Sequence, residues 1–152
     1  MRKCILGFKI ILTIVFIGLA MPALIFAQAD SKSDDFHHWF EKGALFSVYG
    51  NQNAAIDAFQ KAIAIEPENS SAYFNLGIAY AEKEDYQKAI EAVNRAIGID
   101  SGNAGYYYGR GWVHVRFGHV DLGLSDMQRA AEMHNKDAKK YLEEIAPRHA
   151  GR

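Results

Sequence analysis

The residues able to do more than pack are six histidines, one cysteine and several paired carboxylates. His37 and His38 are neighbours, while His114 and His119 lie on either side of Gly118, a turn former. A metal needs ligands that converge, and adjacent residues on a helix diverge by about 100°. His37 and His38 therefore cannot easily share an ion, whereas convergence of His114 and His119 is possible but unforced. Asp34-Asp35 and Glu143-Glu144 read more simply as a helix cap and a solvated helix face than as an acid–base pair. No glycine-rich phosphate loop, metal-ligand spacing or serine nucleophile elbow occurs. The expectation is a protein that is not an enzyme and carries no cofactor and no metal.

What remains is a pattern of elements. Over Ser70 to Ser101, Tyr73, Leu76, Gly77 and Tyr80 fall on one helical face, then Ala89, Val93 and Ala96 on a second. Glu84-Asp85-Tyr86 between them leaves room only for a tight helix–helix connection. The small residues Gly77, Ala89 and Ala96 would let two antiparallel helices approach closely, with large neighbours filling the gaps.

This helical hairpin recurs at a period of 34 residues, marked by Gly43, Gly77 and Gly111. The first unit has Trp39, Gly43, Phe46, Ala55, Phe59, Ala62 and Pro67, with Lys42 where the pattern has leucine. The second has Leu76, Gly77, Tyr80, Ala89 and Ala96, with Ser101 in place of the proline. The third has Tyr107, Gly111, Met127 and Ala130, but Arg110 at the leucine, His114 at the tyrosine and Gly123 at the first alanine. The pattern W-x2-L-G-x2-Y, A-x3-F, P resembles the tetratricopeptide repeat. The resemblance covers Phe36 to Asp137, about two-thirds of the chain, and implies an all-α, right-handed superhelical stack of three hairpins. The units would span 36–69, 70–103 and 104–137.

In chain order, residues 1–29 carry a basic start (Arg2, Lys3, Lys9), the apolar run Ile10 to Ala27, and Ala27-Gln28-Ala29 before Asp30. This is the layout of a secretory signal peptide. Small residues at Ala27 and Ala29 favour cleavage, giving a periplasmic or secreted chain; left uncleaved, the run would anchor the chain in a membrane. Cys4 precedes the apolar run, so a lipoprotein signal is excluded, and cleavage would remove the only cysteine. Losing the three basic residues and no acid takes the formal net charge from −1 to −4 and leaves 123 residues. A mildly acidic chain without a basic run does not suit nucleic acid.

Residues 30–35 form a polar lead-in in which Ser33 or Asp34 could cap the first helix. After the third unit, Asp137 could cap one more helix over 137–146. It would place Ala138, Tyr141, Leu142 and Ile145 on one side, with Lys139, Lys140, Glu143 and Glu144 on the other. A stacked array leaves its last apolar face open, and such a helix would close it. Residues 147–152 make a tail beyond Pro147.

The resemblance also says where a partner would bind, because inner helices of such repeats line a concave groove. The repeat phase places Phe40, Phe74 and Tyr108 in one column, Ala44, Ile78 and Trp112 in the next, and Ser47, Ala81 and Val115 in a third. These residues lie outside the packing signature yet are largely apolar, which marks either a binding surface or contacts between neighbouring inner helices. Some relatives clamp an acidic C-terminal peptide. Phe40 and Ala44 stand where that clamp has lysine and asparagine, so Asn75 alone does not carry it over. The expected function is an exported interaction module, an adaptor or assembly factor, that binds a segment of another protein or peptide. The alternatives are a carrier for a small apolar or aromatic ligand and a non-catalytic regulatory subunit of an envelope enzyme.

Overall fold

The local rules that start and stop each helix recur with the repeat. The computed structural model describes residues 33 and 35–144, which are helical apart from short connections, with no strand among them. The expected signal peptide, the lead-in residues 30–32 and 34, Ile145 and the tail lie outside the described residues. Helix α1 covers 35–48. It is followed by α2 (Gln52–Ile65), α3 (Ser70–Glu82), α4 (Tyr86–Ile99), α5 (Ala104–Arg116), α6 (Val120–Glu132) and α7 (Lys136–Glu144). Ser33 is already helical, so it does not act as the cap.

Within each hairpin the turn has three residues, the middle one left-handed: Gly50 (φ 76°), Glu84 (φ 63°) and Gly118 (φ 89°). Each turn is closed by a backbone bond from its last N–H to a carbonyl one turn back from the helix end. The pairs are Asn51 to Phe46 (2.9 Å), Asp85 to Tyr80 (3.0 Å) and His119 to His114 (2.9 Å). This is the Schellman closure, which satisfies carbonyls that the helix end would leave unpaired. Between hairpins the loop has four residues and ends in asparagine. Asn69 accepts from the Ala72 N–H and Asn103 from the Gly105 N–H, supplying the N-cap bond. Pro67 sets the first of these loops, and Glu66 before it has left the helical region (φ −123°, ψ 84°). In the second loop, with Ser101 instead of proline, the Asp100 carboxylate accepts from the Gly102 N–H at 3.0 Å.

Paired helices meet through small residues. A β-carbon on Gly77 would lie 2.6 Å from Val93 Cγ2 and 3.0 Å from the Ala89 carbonyl. The column Ala62, Ala96 and Ala130 is wholly buried. Beyond each hairpin the core continues into the next unit: Ala55, Ile56 and Phe59 of α2 pack with Leu76 and Ala79 of α3 and Ala92 of α4. Lys42, at the first leucine position, is accommodated by placing its ammonium 4.9 Å from the centroid of Trp39.

The last helix is joined differently. The α6–α7 turn, Met133-His134-Asn135, repeats the within-hairpin geometry, with His134 left-handed (φ 66°) and the Asn135 N–H on the Ala130 carbonyl at 3.0 Å. The cap is Asn135, which accepts from the Ala138 N–H at 2.8 Å, and not Asp137 as the sequence suggests. Asn135, Ala138 and Leu142 have the spacing of Asn69, Ala72 and Leu76, so α7 presents a fresh apolar stripe two residues ahead of the repeat phase. That stripe lies on Ala130, Ala131, Tyr107 and Tyr108. Among the described residues no helix is long and apolar enough to cross a membrane.

Candidate functional site

Helices α1, α3 and α5 carry the nine residues expected to face a partner, and the structure sorts them by column. In the first column the aromatics also pack inward. Phe40 stacks on Phe36 (centroids 5.5 Å, 24°) and meets the edge of Phe59 (5.8 Å). Phe74 lies 4.9 Å from Tyr106 and against Gly109, whose missing side chain gives its ring room. Tyr108 borders Ala130, Ala138 and Leu142. Burial pushes its hydroxyl above the usual phenol range, with the nearby Asp137 and Tyr141 adding to the effect. Of the two readings the sequence left open, Phe74 takes the second, a contact between the inner helices α3 and α5.

The third column is mixed. Ala81 has no exposed surface and packs with Ala89 and Val113, so it cannot line a groove. Val115 is half-buried against Gly123. Ser47 is half-buried, and its hydroxyl donates to the Gln52 side-chain oxygen at 3.4 Å. The middle column, Ala44, Ile78 and Trp112, is half-buried in every repeat. The Arg116 guanidinium lies 4.7 Å from the centroid of Trp112 and 3.9 Å from the Glu82 carboxylate. Tyr86 and Phe117 stack beside them at 5.4 Å. The exposed end of the inner face is thus an aromatic surface bordered by one ion pair, and it can take apolar groups.

Among the described residues no group of three or more histidine, cysteine or acidic side chains could hold an ion. His37 and His38 are exposed and turn to different neighbours, Phe36 and Trp39. His114 and His119 do approach, with ring centroids 6.0 Å apart, but in a different context. Arg110 donates to both oxygens of Asp126, at 2.7 and 2.6 Å, and to the Asn94 amide oxygen at 2.6 Å. Asp126 is only 9% exposed. His114, one turn beyond Arg110, has Nε2 4.0 Å from the same carboxylate, while its Nδ1 is buried without a hydrogen-bond partner. Sequence reasoning passed over this cluster because it treated Arg110 and His114 as separate departures from the repeat. Asp126 stands in the column of Ala58 and Ala92, and an acid there opposite an arginine in the leucine column was the available signal.

Residues 50–104 match the model of the tetratricopeptide repeat. The fold is an all-α stack of helical hairpins like that of tetratricopeptide-repeat proteins. The Arabidopsis OM64 TPR domain superposes with a TM-score of 0.70 at 23% identity, over 77% of this chain and 98% of that one. The first TPR of Spaghetti (RPAP3), bound to the HSP90 peptide SRMEEVD, gives 0.70 at 23% identity over 78% and 96%. A crystal structure of MamA gives 0.62 at 30% identity, over 69% of this chain and 61% of MamA, so the repeat stack spans about three-fifths of that protein. No curated protein matches the chain in sequence.

Proposed function

We propose that the chain is a non-catalytic interaction module that holds an apolar segment of a partner polypeptide along Ala44, Ile78 and Trp112. The observation that carries this reading is the middle column. It recurs once per repeat, keeps part of its surface exposed on helical backbone, and ends in an aromatic ring of the kind that anchors interfaces. A protein of the same fold, the Spaghetti repeat, holds the acidic peptide SRMEEVD. Here the partner differs in chemistry, because Phe40 and Ala44 offer no cation to carboxylates. The basic start, apolar run and Ala27-Gln28-Ala29 further support export, with Asp30 as the mature N-terminus.

The test is an affinity capture with the mature chain from its own envelope fraction, then titration of the captured protein against variants. Trp112→Ala should weaken binding by about 1–3 kcal/mol, roughly 5- to 150-fold. Ile78→Ala should weaken it less, because it removes fewer atoms. Both variants should keep the helical circular dichroism of the parent, and added salt should change affinity little. Parental affinity in both folded variants would overturn the groove. A small apolar molecule eluting in place of a polypeptide would turn the reading to a carrier.

A further inference from the structure

The third repeat departs from the other two at Arg110, His114 and Asp126, and these three side chains meet in one place. Where the other repeats bring apolar groups together, α5 and α6 enclose a guanidinium, a carboxylate and an imidazole. The Nε–Nη2 edge of the Arg110 guanidinium already holds both oxygens of the Asp126 carboxylate. His114 therefore reaches that carboxylate only at 4.0 Å and shares it with a cation in place. Its other nitrogen, Nδ1, faces no acceptor.

We propose that this cluster makes the third repeat acid-sensitive: charging His114 loosens α5 and, with it, the Trp112 end of the partner groove. The regulatory consequence rests on the groove reading above; the loosening itself does not. A second proton would make both imidazole nitrogens donors, leaving a buried N–H without an acceptor. It would also add a positive charge between Arg110 on α5 and His119 in the α5–α6 turn, with Asp126 on α6 as the sole opposing charge. From α4 the cluster receives Asn94, which is neutral. The charged or titratable groups that α3 and α4 bring to α5 nearby, Glu82 and Tyr86, engage Arg116 instead. Burial accordingly holds His114 below the ordinary imidazole range; the pull of Asp126 opposes this, and Arg110 and His119 reinforce it. For a histidine whose folded pKa is lowered, the unfolded chain binds the extra proton first. Stability is thus complete above about pH 6.5 and falls as the pH drops below it.

The experiment is amide hydrogen exchange of the full chain at pH 7.5 and pH 5.0, corrected for the intrinsic rates, with an NMR titration of the imidazoles. Protection in α5 and α6 should fall several-fold at pH 5.0, to a ceiling of about thirtyfold set by an unfolded histidine of pKa about 6.5. Protection in α2 and α3 should fall less. His114→Phe, which installs the residue type of Phe46 in the same column, should remove most of the difference. His114 should titrate below the ordinary imidazole value of about 6.5 in the parent chain, a measurement that needs no variant. Equal protection at the two pH values, or a His114 that titrates at or above about pH 6.5, would overturn the proposal. Neither measurement uses a partner, so the switch can fail while the groove stands. If α5 loosens in acid but affinity of a captured partner does not change with pH, only the link to the groove falls.

Discussion

Glu84 holds a backbone conformation that its neighbours in the repeat phase assign to glycine. Its φ of 63° matches those of Gly50 and Gly118, and left-handed backbone costs a residue with a β-carbon about 1–2 kcal/mol. The side chain is exposed, so its removal takes nothing from the core. Glu84→Gly should therefore stabilise the chain by about 0.5–1 kcal/mol, the relief being partly offset by the freedom glycine gains in the unfolded state. The expected readout is a higher urea midpoint with an unchanged slope; a lower midpoint would show that Glu84 makes a contact worth more than the strain. The glycines of the helix contacts answer to a different force. Gly77 is helical, and what excludes a side chain there is the distance to Val93 and the Ala89 carbonyl. One residue type thus marks the chain twice, once for a dihedral angle and once for proximity.

At the scale of elements, the α5–α6 pair shows how far the repeat pattern can be bent. Asp126→Ala would leave the Arg110 guanidinium half-enclosed without its carboxylate, and should destabilise the chain by about 2–4 kcal/mol. Adding Arg110→Leu to it restores the pair found at Leu76 and Ala92 and removes both buried charges. The double variant should return to parental stability or exceed it by about 1–2 kcal/mol, since replacing an enclosed ion pair with packed apolar groups is commonly neutral or favourable. Thermal or denaturant unfolding of both variants decides this, and a double variant no better than the single would mean that the cavity cannot close around leucine. This pair also measures what was legible. The paired helices followed from period, glycine placement and turn residues, because each of those has a local cause. Side-chain burial around them did not: column position told that Ala81 lay near the groove, but its burial depends on where Val113 of the next unit arrives. Similarly, the α6–α7 turn is fixed by His134 entering left-handed backbone, which a histidine does not announce.

Across the stack, each unit owes its stability to its neighbours, so the two ends behave differently. Ala79 and Val113 are wholly buried, whereas Leu45, at the same repeat position in α1, is 54% exposed. Val48 and Tyr49 nearby are 83% and 78% exposed, so this side of α1 contributes little to the core. The other end is covered: α7 lays Ala138 and Leu142 over Ala130, Ala131, Tyr107 and Tyr108, and turns Lys139, Lys140, Glu143 and Glu144 outward. Truncation before Lys136 should therefore remove about 1–3 kcal/mol of apolar burial, nearly all of it from the third repeat. In a one-dimensional array that loss stays local, because contacts run only between adjacent units. Exchange of amide hydrogens in α5 and α6 should accelerate by tenfold or more, while α2 and α3 keep parental protection. The newly bared Tyr107, Tyr108 and Ala130 should also make the truncated chain self-associate as its concentration rises. Measured together, exchange and sedimentation separate the two effects. Uniform acceleration throughout the chain would mean that the stack unfolds as one cooperative unit. Unchanged exchange in α5 and α6 would mean that α7 rests on the third repeat without stabilising it.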